Sequence, residues 1–221
     1  MSFDPETINE LLQTVPVFPL EGVLLLPRGQ LPLNIFEPRY LQMFEDALAK
    51  GRLLGVVQPY GDESGVEGLQ KVGCLGRISS FSETDDGRMI VSLTGVARFA
   101  IAEELNVLTP YRQIRADYRP YESDLIADVG SIDVNRDGVL DVLRRYLDAN
   151  GMEADWPAIE SSNNEALVNS LCIISPYGAQ EKQAMLEAAT LAERAEILIA
   201  LTEMVLAQLA QSGGANDNAV Q

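Results

Sequence analysis

Pro16, Pro19, Pro27 and Pro32 cut the apolar runs 15–20, 23–26 and 31–35. Proline has no N–H to give a neighbouring strand, so this stretch is expected to form short edge strands and turns, not central strands. Further on, 53–58, 71–81, 88–94, 98–103 and 112–118 are strand-length runs separated by glycine or Asp-Gly punctuation. Thr84, Asp85, Asp86 and Gly87 read as a hairpin turn, and Met89, Val91 and Leu93 alternate onto one face. One helix interrupts the strands. Pro38 stands at its first turn and Gly51 just past its end, and Tyr40, Leu41, Phe44, Ala47 and Leu48 form an apolar stripe between them. Short strands closing around one helix predict a small barrel or curled sheet.

Past Tyr118 the pattern changes. Residues 119–133 are acidic and irregular, carry Pro120 and Gly130, and read as a linker. Beyond them the apolar spacing becomes helical. Leu140, Leu143 and Leu147 share a face of a helix over 139–149 that stops at Asn150 and Gly151. Ser162 with Glu165 has capping-box spacing ahead of a helix over 166–174, and a short helix over 179–188 follows the Ser175-Pro176 break. Thr190 with Glu193 is a second capping box, opening a long helix to about Gln211 lined by Leu191, Ala195, Leu198, Leu201, Thr202 and Val205. The expected organisation is an α+β chain: a β subdomain over 1–118, a linker over 119–133, a helical bundle over 134–211 and a disordered tail over 212–221.

Residue usage removes several chemistries. The chain has no histidine, hence no Ser-His or Cys-His pair and no histidine zinc site. Its lysines are Lys50, Lys71 and Lys182, none in the Gly-Lys-Ser/Thr context of a phosphate-cradling loop. Carboxylate acid–base chemistry stays open in principle, but no pair is marked. Cys74 and Cys172 lie far apart in apolar surroundings and read as buried thiols of a reducing compartment. The net charge of −17 opposes nucleic acid and an anionic membrane surface alike. The acidic start carries no signal-peptide pattern, and the expected location is the cytoplasm.

Asp133, Asn135, Asp137, Gly138 and Asp141 match the opening of a calcium-binding EF-hand loop, but Arg144 stands where that loop needs a bidentate glutamate. Acidic groups capping a helix start explain the segment better, so neither metal nor cofactor is expected.

Several blocks together resemble the N-terminal substrate-binding domain family of Lon proteases. They are Pro16-Val17-Phe18-Pro19-Leu20, Gly22-Val23-Leu24-Leu25-Leu26-Pro27, Pro32-Leu33-Asn34-Ile35-Phe36-Glu37-Pro38-Arg39-Tyr40 and Val72-Gly73-Cys74-Leu75-Gly76-Arg77-Ile78. The hairpin from Gly87 to Phe99, and the helical blocks Glu181 to Glu187 and Leu191 to Arg194, continue the match. Phe36-Glu37-Pro38-Arg39-Tyr40 is similar to the short, stand-alone bacterial members. The resemblance implies a PUA-like β-barrel followed by a helical bundle. It also implies recognition of unfolded or partly folded protein, as an adaptor or sensor that could serve a separate protease. The ATPase and Ser-Lys peptidase of the full protease are not matched, so no enzyme activity is expected. The fold type leaves RNA binding as the alternative, which the net charge disfavours. No groove can be named, but Arg39, Tyr40 and Arg98 are the candidate peptide contacts. A long cation among apolar neighbours needs a partner, either a carboxylate such as Glu37 or a bound peptide.

Overall fold

A computed structural model describes residues 5–61 and 67–217. It shows a mixed α+β fold with a six-stranded sheet and several helices, in two compact units. The first comprises Met1–Val129 with Asn169–Glu187, the second Gly130–Val168 with Ala188–Gln221. This division differs from the one expected above, because 119–129 and Asn169–Glu187 group with the sheet.

The sheet strands are β1 (Thr14–Pro19), β2 (Gln30–Ile35), β3 (Leu53–Gly61), β4 (Glu67–Glu83), β5 (Met89–Leu105) and β6 (Gln113–Asp117). Their order is β2-β5-β4-β3-β1-β6, and β6 also pairs with β5. Five strands are thus joined in a ring of pairings, with β2 outside it on β5. Among these strands, β1 and β3 alone pair in parallel. The core holds Val15, Val17, Leu53, Val57, Leu75, Ala97, Phe99, Ile114 and Tyr118.

Pro32 does sit in an edge strand. β1, with Pro16 and Pro19, lies between two partners instead. It manages this by dividing its length: 14–16 align with β6 and 17–19 with β3. The run 23–26 is not a strand, yet Leu24, Leu25 and Leu26 are buried. It crosses β5 at Gly95, whose carbonyl accepts from the Arg28 N–H at 2.8 Å and whose N–H donates to the Gly29 carbonyl at 2.9 Å. A Cβ on Gly95 would overlap the Leu26 carbonyl, so glycine here permits a close backbone crossing. For the same reason β5 runs unbroken, where sequence reading split it into 88–94 and 98–103. At the β4–β5 turn, Gly87 has φ 77° and its N–H donates to the Thr84 carbonyl at 2.9 Å.

Helix α1 (Pro38–Ala49) has its proline in the first turn and buries Tyr40, Met43, Phe44 and Ala47. The Tyr40 ring lies 4.3 Å from Phe18, and Phe44 meets Phe81 edge-on at 5.4 Å. The first unit also contains α5 (Ala179–Glu187) and the part of α4 (Asn164–Ile174) beyond Val168.

In the second unit α2 (Arg136–Asn150) packs along α6 (Leu191–Asp217), and α3 (Trp156–Ser161) is a short addition. The EF-hand-like segment works as a helix start: the Asn135 carboxamide oxygen accepts from the Gly138 N–H at 3.1 Å. Arg144 stacks on the Trp156 ring, 4.5 Å from its centre. Thr190 and Glu193 form their capping box, with Glu193 N–H to Thr190 Oγ1 at 3.1 Å. The α4 cap is instead Asn163, because the Ser162 hydroxyl donates to the Ile159 carbonyl that ends α3. Helix α6 continues through Asp217, into the expected tail; residues 218–221 lie outside the described residues. Among the described residues, no helix is long and apolar enough to cross a membrane.

Candidate functional site

Buried polar groups explain why the presumed linker and Asn169–Glu187 belong with the sheet. Arg98, on β5, is 3% exposed. Its backbone N–H and Nε donate to one Asp124 carboxylate oxygen at 2.9 and 2.8 Å, and Nη2 donates to the other at 2.8 Å. Nη1 reaches the Leu186 carbonyl at 3.0 Å, and the Tyr121 ring lies under the guanidinium at 4.5 Å. Burial works against the Arg98 charge, but the Asp124 hydrogen bonds and charge outweigh it and raise the arginine pKa further. Arg28 adds a hydrogen bond from Nη1 to the Asp124 carbonyl at 2.7 Å. The 3-10 helix Arg119–Leu125 is thereby held against β5.

Amides hold α4 and α5 in the same way. Gln58 Nε2 donates to the Ala179 carbonyl at 2.8 Å and to Gln183 Oε1 at 3.2 Å. Gln183 Nε2 donates to the Val72 carbonyl at 3.2 Å, and Asn169 Nδ2 to the Pro27 carbonyl at 3.1 Å. Buried amides paired in this way fix segments in place, and they leave no reactive group facing solvent.

Three exposed apolar residues of the sheet unit lie at the β2–α1 junction and the facing end of the β4–β5 hairpin, while Leu108, Ile126 and Ile174 of the same unit are exposed elsewhere. Phe36, just past β2, is 63% exposed, and Ile90 and Phe81 are 43% and 45% exposed. Register relates them: Asn34 and Ser82 flank Ile90, while Leu33 and Phe81 flank Val91. Ile90 therefore stands on the outer face with exposed Pro32, Asn34, Ser80 and Ser82, whereas Phe81 covers Phe44 on the opposite side. Arg39 Nε donates to Glu37 Oε2 at 3.0 Å, and its guanidinium lies 4.5 Å from the Tyr40 ring centre. At the hairpin tip Arg88 pairs with Asp86 at 2.7 Å. Hydrogen bonds from Arg88 and Thr84 hold the Asp86 carboxyl at about 2.

The three residues proposed from sequence therefore differ in setting. Arg39 is exposed beside Phe36, Tyr40 is buried in the α1 packing, and the Arg98 guanidinium is taken up by Asp124 and Leu186. Pairing of Arg39 with Glu37 was foreseen; the Arg98 partner, from the presumed linker, was not. Sequence reasoning also missed Phe36 and Ile90. Ile90 had a signal: it is a large apolar residue on the polar face of an otherwise alternating strand. Another concavity, about 390 Å³, is lined by Ile8, Gln13, Arg115, Asp117, Tyr118 and Arg119. Arg115 and Arg119 at this concavity are already paired with Glu103 and Asp117.

A sequence model of the ATP-dependent protease La (LON) substrate-binding domain matches residues 14–203. The Lon protease of Parabacteroides distasonis is 29% identical over 206 residues, covering 88% of this chain and 24% of that protein. The chain thus spans about a quarter of the length of such curated relatives. Among solved structures, the N-terminal domain of Mycobacterium avium complex Lon protease aligns with a TM-score of 0.64 at 17% identity, covering 86% of this chain and 98% of that one. A Lon N-terminal domain protein from Xanthomonas campestris aligns with a TM-score of 0.58 at 20% identity, with the same coverage.

Proposed function

The chain belongs to the family of ATP-dependent protease La (LON) substrate-binding domains, and on that premise we propose that it is a cytoplasmic polypeptide-recognition module without catalytic chemistry of its own. Its ligands are unfolded or partly folded protein segments, held for a separate protease or sensed on their own account. The ring of strand pairings supports reading the sheet as a PUA-like curled barrel. The observation that carries the functional reading is the exposed apolar pair Phe36 and Ile90 at the β2 end of that sheet. Water-exposed apolar side chains gathered on a folded surface mark a place where apolar surface of a partner can be buried. Arg39 borders the pair and is the contact proposed from sequence that remains exposed. Nucleic acid is no part of this reading, since a net charge of −17 repels phosphate.

The test is a titration of labelled, reduced, unfolded model protein at low and high salt, beside a labelled RNA. Apolar docking of a mobile client is expected in the micromolar range, about −8 kcal/mol, and to survive added salt. Exchanging both Phe36 and Ile90 for serine removes enough buried apolar area to weaken binding about tenfold. Absence of protein binding together with RNA binding that falls steeply with salt overturns the reading.

A further inference from the structure

We propose that the free edge of β2 receives the client as an added strand, and that the preferred client is an extended segment alternating apolar with lysine or arginine residues. This rests on the recognition reading above and adds how, and which, segments bind. Strand β2 pairs with β5 alone, from Gln30 opposite Thr94 to Ile35 opposite Met89. Its other edge has no strand beside it among the described residues. Pro32 has no N–H for β5, so it occupies a position whose backbone groups face outward, and the alternation of an antiparallel strand turns those of Gln30 and Asn34 outward too. The edge thus offers the N–H groups of Gln30 and Asn34 and the carbonyls of Gln30, Pro32 and Asn34, and all three residues are exposed. A strand laid there sets alternate side chains on the outer face, beside Pro32 and Asn34 and next to Phe36, with Ile90 one strand further in.

Charge selects the occupant. The chain carries a net charge of −17, and Glu83 and Asp85, on the β4 side of the hairpin end whose β5 limb pairs with β2, are exposed and make no ion pair among the described residues. They favour a cationic client. A second copy brings another −17 and a second proline against Pro32, so it fits this edge poorly.

The experiment uses the full chain and a short peptide alternating phenylalanine and valine with lysine. Versions N-methylated at every second residue, in each of the two phases, block hydrogen bonding along one edge at a time. One phase is expected to bind at least tenfold more weakly than the parent peptide, and the Asn34 amide is expected to exchange more slowly with solvent on parent binding. If parent and both methylated forms bind alike and Asn34 exchange is unchanged, strand addition is overturned while recognition itself stands. If neither the parent peptide nor unfolded model protein binds, both readings fall. Replacing lysine by glutamate should weaken binding at low salt about tenfold; equal affinity overturns the assigned client chemistry. Dimerisation that protects Asn34 without peptide overturns the proposal in favour of a second copy.

Discussion

Each unit contains an arginine gripped by carboxylate in two-pronged fashion, and the two grips differ in their surroundings. In the sheet unit, the Arg98 and Asp124 side chains are 4% and 9% exposed. In the helical unit, Arg145 donates to Glu203 at 2.5 and 2.8 Å, with side chains 46% and 45% exposed. Geometry is similar, so the difference lies in the solvent. Water competes for the exposed pair and screens it, which leaves little net stabilisation. Around the buried pair no water replaces a lost partner, so removing one side strands a charge. The first pair holds a chain segment in place; the second trims a helix surface.

The largest expected effect therefore comes from Asp124→Ala, which leaves the buried Arg98 cation without its carboxylate. Urea unfolding should show a loss of about 3–5 kcal/mol. A loss as small as that of a surface pair would break the comparison. Gly95→Ala should cost less, about 1–3 kcal/mol, because the 23–29 segment must move away from β5 to clear the new methyl group. Unchanged stability would show that the crossing is looser than described. Glu203→Ala should cost least of the three and fade with salt; a salt-independent loss as large as that of Asp124→Ala would erase the distinction between the two pairs.

What could be read from sequence depended on how far a residue's partner lies along the chain. Helix α1 announces itself through Pro38, Gly51 and its stripe, and the β4–β5 turn through Asp86-Gly87, because their causes are local. The Thr190–Glu193 cap is equally local. Arg98 and Asp124 are 26 residues apart, and nothing near Asp124 distinguishes it from the other acids of an irregular stretch. Gln58 and Gln183 meet across 125 residues, and so α5 read as part of the helical bundle. Gly95 looked like a break between strands, since a glycine that ends a strand and one that admits a crossing segment have the same letter. Of the candidate site, Arg39 was legible from its aromatic context. The exposure of Phe36 could not be read, because the nearest large apolar residues before and after it in sequence, Ile35 and Tyr40, are buried.

The two units also supply the control for the central claim, that unfolded polypeptide docks at the β2 end of the sheet. Each carries an exposed isoleucine, Ile90 in the sheet unit at 43% and Ile132 in the helical unit at 92%. Methyl-labelled isoleucines of the intact chain, followed by NMR as unfolded client is added, read both surfaces in one titration. The account predicts that the Ile90 methyl resonance shifts or broadens with client concentration while that of Ile132 stays in place. Movement of Ile132 with Ile90 unchanged would contradict it, despite the greater exposure of Ile132 being the naive reason to expect that result.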